Sequence, residues 1–321
     1  MKVSRVSDWS LVIVFNFMWA TQVPVIRLIG NRLGEVAVAF VPMLISTIIF
    51  LPILGLENKK RKVSFRWRWN DIKDFIIPGL IGIFLMQYLY TVGSRMTLAA
   101  NAGIITLTIP VIVTIFASVF LNEKLNIVRI LSFALAIIGV LLTSTSDISG
   151  SDFKQGEYFA GNLVFFMACA CCGFYNAWCK KLIGKNYTEL EILVYSSIIG
   201  SIAAIPLLIW MEPFSITGFI NSGKDALLGI LELSVIVYGV SMLLYFYVLH
   251  RMDVTQAILG NYLLPFFIAL LGVWLLKESV TTMMLVGGFI ILASTLMVSV
   301  YEKTIMEFFY RDKIKEPIKN K

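Results

Sequence analysis

The chain has 321 residues, 58% of them hydrophobic and 15% charged, with a formal net charge of +7 and a mean hydropathy of +0.84. A soluble domain carries about 25% charged residues, and apolar runs recur here at the ~20-residue length that crosses ~30 Å of hydrocarbon, so the composition excludes a water-soluble fold. The short alternating segments of a membrane barrel are missing, so the spans are helices.

From the N-terminus, Lys2 and Arg5 precede an apolar run that continues past Trp19 to about Ile29 with no small-residue cleavage site. It reads as a first span and not as a removable signal. Further spans are expected near 36–54, 75–94, 99–121 and 127–145. A polar loop at 146–157 separates these from spans near 158–179, 190–210, 226–249, 254–276 and 282–301, and a basic tail occupies 302–321. The expected fold is an all-α membrane protein of ten transmembrane helices.

Polar side chains inside spans have no partner in hydrocarbon and turn towards the bundle interior. In chain order they are Trp19 and Gln22 in the first helix, then Gln87 and Thr91 on one face of the third with Tyr88 and Tyr90 beside them. Asn101 follows in the fourth helix, and Tyr175, Asn176 and Trp178 in the sixth. Cys169, Cys171, Cys172 and Cys179 share that sixth helix at no zinc-site spacing and read as small apolar residues. In the eighth helix Tyr238, Ser241 and Tyr245 lie three and four residues apart, on one face. Gln256, Asn261 and Tyr262 complete the set at the start of the ninth. Glu232, in the eighth helix, is the one well-placed candidate for a protonatable coupling residue. Ser196, Gly200 and Ala204 in the seventh are spaced for close helix packing.

Ten spans put both termini on one side. With that side cytoplasmic, 21 of the 27 basic residues lie inside, and only Arg27, Arg32, Arg95, Lys154, Lys224 and Lys277 lie outside. They act as topology determinants, not as a nucleic-acid footprint.

The stretch AGIITLTIPVIVTIFASVFLNEKL (Ala102–Leu125) has a partner in AILGNYLLPFFIALLGVWLLKESV (Ala257–Val280). Ala102, Pro110, Leu121 and Glu123 recur as Ala257, Pro265, Leu276 and Glu278, each 155 positions on. Tyr90 and Tyr245, Asn101 and Gln256, and Asn126 and Thr281 share the offset, the last two as expected N-caps of the fifth and tenth helices. Five spans per half is an odd number, so the second half enters the membrane inverted. An inverted repeat of 5+5 helices builds a carrier whose substrate site lies near the midplane between the halves. Pro110 and Pro265 lack a donor and bend their helices, which marks them as gating points. Glu123 and Glu278, beside Lys124 and Lys277, read as helix-end anchors with local ion pairs that contribute little.

The alanine-rich start at Leu98–Ala100, Pro110 and Phe120–Leu125, together with Ala257, Pro265 and Leu275–Glu278, resembles the drug/metabolite transporter superfamily, in its members with two EamA-type domains. FMWATQVPVIRL (Phe17–Leu28) is similar to that family's opening segment; FYNAWCKK (Phe174–Lys181) departs from it by lacking the pair Trp19-Ala20. The resemblance covers roughly 9–301. It implies repeats at 1–145 and 158–301, an external linker at 146–157, and a cavity surrounded by helices 1, 3, 4, 6, 8 and 9. It also implies an inner or plasma membrane location and substrates among amino acids, other metabolites, drugs, nucleotide sugars or phosphorylated sugars.

The expected function is secondary transport of a small organic solute, as an exporter working by alternating access. HExxH, GxSxG, an acidic metal cluster and a P-loop are all missing, which argues against an enzyme, a metal, a cofactor or ATP hydrolysis by this chain. A phosphorylated substrate needs cations at the midplane, whereas Arg27, Arg95, Lys180 and Lys181 lie near helix ends. A neutral or zwitterionic solute is preferred, with exchange of sugar phosphates or nucleotide sugars as the alternative and a channel as the less expected one. The expected partners are the substrate and the lipid bilayer, without nucleic acid, in a monomer or homodimer.

Overall fold

The computed structural model describes residues 6–61, 69–120, 126–145, 154–212, 215–251, 262–301 and 304–305. Among these there is no strand. Seven helical units are long and apolar enough to cross a membrane: α1 (Asp8–Arg32), α2 (Glu35–Lys60), α3 (Ile72–Met96), α4 (Ala99–Phe120), α6 (Tyr158–Ile183), α7 (Glu189–Trp210) and α8 (Lys224–Val248). Three shorter apolar helices are α5 (Ile127–Thr143), α9 (Leu263–Leu276) and α10 (Thr282–Met297).

The exterior is that of an integral membrane protein. Large apolar side chains such as Ile48, Ile205, Trp210, Phe266, Trp274 and Phe289 are exposed, while Asn16, Thr91, Asn101, Asn162 and Ser234 are buried. In lipid this distribution is the favourable one, because apolar side chains face hydrocarbon and polar ones find partners only inside the bundle.

Prolines dictate where helices are interrupted. α1 breaks at Thr21, three residues before Pro24, and α4 breaks at Leu107–Thr108, just before Pro110. In each case the proline falls in the first turn after the break, where its missing N–H is no loss. The carbonyls released at the α4 break are reused: Leu107 O accepts from Thr295 Oγ1 of α10 at 2.6 Å. Pro78 opens a π-helical stretch in α3 (Pro78–Leu85), and a second such stretch lies in α8 (Leu233–Val240), 155 residues later at both ends. The Asn126 carboxamide accepts from Arg129 N–H at 3.0 Å, and Thr281 Oγ1 accepts from Met284 N–H at 3.3 Å, so both expected N-caps form.

Packing follows the same repeat. α5 packs on α10 and α4 on α9, each helix against its own counterpart. α1 packs on α8 as α6 packs on α3, and the π stretch of α8 packs on α2 as that of α3 packs on α7. Glycines permit the closest crossings. A Cβ on Gly139 would lie 2.4 Å from Ile291 and 2.9 Å from the Gly287 carbonyl, and one on Gly200 would lie 2.6 Å from Ile83. The Ser196, Gly200 and Ala204 stripe therefore serves the α3–α7 contact, as its spacing indicates.

Candidate functional site

A cavity of about 320 Å³ lies at the centre of the bundle. Every unit except α5 and α10 contributes to its wall. The positions run from the middle of the bundle towards the end that carries Phe50, Leu193 and Tyr262, and among the described residues no lining side chain is charged.

Trp19, Gln22, Gln87, Tyr90, Tyr175, Asn176, Tyr238, Tyr245 and Tyr262 all line this one cavity, as do Pro110 and Pro265. Trp19 stands at 5.1 Å from Tyr245 and 5.0 Å from Phe15, centroid to centroid, and Tyr90 at 4.7 Å from Phe165. These contacts restrict rings that would otherwise have two free torsions each. Gln22 Nε2 donates to Tyr238 OH at 2.8 Å, joining the α1 break to the π stretch of α8. Ser46 Oγ of α2 donates to the Tyr238 carbonyl at 2.8 Å.

Other expected residues lie off the wall. Thr91 and Asn101 are buried between helices, and Tyr88 packs against the buried cluster that includes Val36, Phe40 and Ile83. Ser241 Oγ donates back to the Val237 carbonyl, the bond by which a mid-helix serine satisfies itself in an apolar span. Trp178 Nε1 donates to the Asp74 carbonyl at 3.0 Å, with its ring in a cluster with Phe120 and Phe174. Gln256 and Asn261, like Glu123, fall outside the described residues.

The wall also includes residues without a polar-stripe signal. α2 supplies Met43, Ser46, Thr47 and Phe50, and α7 supplies Leu193, Val194 and Ser197. α2 has almost no amphipathic pattern because its other side meets lipid, so both sides read alike. Cys169 and Cys172, one turn apart, face the cavity, and all four cysteines are free. Among the described residues no group of three or more His, Cys, Asp or Glu side chains is arranged to hold a metal.

Glu232 stands behind the wall and contacts Thr21 at the α1 break. Thr21 Oγ1 meets both the Met18 carbonyl, at 2.7 Å, and Glu232 Oε1. A hydroxyl has one hydrogen, so the Met18 carbonyl and the Glu232 carboxylate share or compete for it. Its Oε2 is buried without a hydrogen-bond partner among the described residues.

Glu278 differs from the expected surface anchor. Its side chain is 4% exposed and pairs with Arg27 of α1, not with Lys277. It also accepts from Ala99 N–H at 3.0 Å and Ala100 N–H at 3.2 Å, capping α4 from the other half. The cause is the turn that ends α9. Lys277 adopts a left-handed conformation, and Glu278 N–H returns to the Gly272 carbonyl at 3.2 Å, which aims the carboxylate inward.

Comparison with known proteins agrees with this architecture. A protein of Streptantibioticus cattleyicolor named "Probable terminal-alkyne amino-acid exporter" is 23% identical over 299 residues, covering 93% of this chain and 95% of its own. A Rickettsia felis protein named "S-adenosylmethionine uptake transporter" is 26% identical over 284 residues, covering 87% and 88%. A solved crystal structure aligns over 94% of this chain and 99% of its own at a TM-score of 0.59 and 16% identity, a likeness of fold alone. The model of the EamA-like transporter family matches twice, over residues 9–145 and 159–300. With nearly its whole length matched in two copies, the chain belongs to the EamA-like transporter family.

Proposed function

We propose that this transporter is a secondary carrier that moves a small organic solute outward by alternating access between two inverted five-helix halves, residues 1–145 and 158–301. The linker 146–157 lies outside, and both termini, with the basic tail 302–321, lie in the cytoplasm of a cell bounded by this membrane. The observation that carries the reading is the central cavity walled by both halves. The seven long helices and three shorter apolar ones, taken together as ten spans, supply the odd number per half that inversion requires. The lysine and arginine asymmetry supports the orientation.

The solute is an amino acid, a related metabolite or a drug-like amphiphile, neutral or zwitterionic. An uncharged wall rich in tyrosine holds apolar and aromatic parts by burial and stacking, and hydroxyls and amides orient the polar parts. Sugar phosphates and nucleotide sugars fit it less well, since no cation among the described residues lines it. Export follows the relative named as an amino-acid exporter, whose match spans more of both chains than the one named as an uptake transporter. Glu232, joined to the α1 break through Thr21, is the coupling residue of this scheme, and Pro110 and Pro265 are the points at which helices flex.

The test is a thermal-shift and counterflow screen of purified protein against amino acids, nucleotides, sugar phosphates and hydrophobic cations. Stabilisation and counterflow with neutral or zwitterionic amphiphiles are expected. A response to sugar phosphates alone overturns the substrate class.

A further inference from the structure

α2 and α7 belong to different halves and both line the cavity, Met43 to Phe50 on one and Leu193 to Ser197 on the other. Access to the cavity between them requires these helices to part at one end or the other. The two ends are tied in different ways.

We propose that Glu212, at the end of α7, is a latch that holds the Gly34 end of the carrier closed by capping α2, and that it must release α2 for the cavity to open there. This rests on the alternating-access reading above. Val36 N–H donates to Glu212 Oε1 at 2.7 Å and Ala37 N–H to Oε2 at 3.0 Å. α2 has no cap of its own, because its N-cap position is Gly34, which makes no side-chain bond. A carboxylate at this place satisfies amides that helical geometry leaves open and meets the positive end of the helix dipole. Gly34 is what admits it: a Cβ there would lie 1.9–2.3 Å from the Glu212 carboxylate atoms. Arg95 of α3 stands beside the latch, donating to the Leu33 carbonyl at 2.8 Å and lying 3.8 Å from Glu35.

The opposite end is built differently at the positions 155 residues away. Glu57 is the counterpart of Glu212, and Glu191 that of Val36. There α7 caps itself: Thr188 Oγ1 accepts from Glu191 N–H at 3.2 Å, and Glu191 Oε2 accepts from Thr188 N–H at 2.9 Å. Glu57 turns to Arg61 at 3.8 Å, and Arg61 reaches Glu191 at 3.6 Å. The first turn of α7 thus stays capped when it leaves α2, whereas the first turn of α2 loses its cap when it leaves α7. Parting at the other end breaks the Arg61–Glu191 ion pair but no helix cap, so the Gly34 end is the one where a helix cap depends on the closed arrangement.

The test uses Met86→Cys, a cavity-lining reporter on α3, in the full-length protein with its four native cysteines replaced by alanine. A charged, membrane-impermeant methanethiosulfonate is added to right-side-out and to inside-out vesicles. Reporter labelling from the end opposite Gly34 is expected in the parent. Glu212→Ala should raise labelling from the Gly34 end about tenfold, the scale on which losing a helix cap shifts an equilibrium. Gly34→Ala, whose methyl displaces the carboxylate, should do the same, and the double variant should label no faster than either alone. If the parent labels from one side and neither variant adds the other, the latch is wrong while alternating access stands. Fully additive effects also overturn it. If the reporter labels from neither side in any variant, the alternating-access reading falls and the latch with it.

Discussion

Glu232 and Glu278 are both carboxylates of the second half, yet their surroundings assign them different work. Glu278 is held from three directions, by Arg27 and by two amides at the start of α4. Breaking a buried pair of this kind leaves an uncompensated charge and costs several kcal/mol, so its role is to fix α1 and α4 to the end of α9. Among the described residues Glu232 has one hydrogen-bond partner, Thr21, which also bonds Met18, and one oxygen with none. A carboxylate so placed changes its contacts when it gains or loses a proton. Glu232→Gln keeps a donor for Thr21 and cannot ionise. In proteoliposomes, this variant should retain solute counterflow but lose at least fivefold of the uptake driven by a proton gradient. Gradient-driven uptake at the parent's rate would remove Glu232 from the coupling scheme. At this scale the sequence identifies a lone acid within a span, but its contact with Thr21 arises from residues 211 positions apart and is not readable from either segment.

The elements owe their shape to proline. Pro24 and Pro110 each stand just after a break, and the α4 break, with Thr106, Leu107, Ile109 and Pro110, is part of the cavity wall. Pro110→Ala restores an N–H that can donate to the Thr106 carbonyl and so extend α4 through its break. Expression and folding should persist, because a helix gains a bond, while the maximal transport rate should fall about tenfold if the break is a flexing point. Transport kinetics equal to the parent's would reduce the proline to a static bend. The interruption at Pro110 is visible in the sequence, since proline cannot donate wherever it sits. The π stretches at Pro78–Leu85 and Leu233–Val240 are not, because they depend on how α3 and α8 fit against α7 and α2.

Over the whole molecule, the 155-residue offset governs both the sequence and the packing, with α4 against α9 and α5 against α10. The proposed inversion of one half makes a direct prediction. Short epitope tags at either terminus should be accessible from the cytoplasmic face of intact cells only after permeabilisation, and a tag inserted at residue 150 should be accessible without it. A tag at 150 protected like the termini would exclude an odd number of spans per half and with it the inverted arrangement. Membrane character, helical spans, the repeat, the break at Pro110 and the caps at Asn126 and Thr281 follow from the sequence alone. They express local physics: length against hydrocarbon thickness, a missing backbone donor, and side chains that bond amides three residues away. Which side chains share the cavity was decided by tertiary structure. α2 and α7 enter its wall, while Thr91, Asn101, Trp178 and Ser241 lie off it. In a membrane helix both lipid and a cavity accept apolar surface, and a polar residue is satisfied equally by a neighbouring helix. Hydropathy therefore cannot assign a face, and only the packing of helices far apart in the chain does.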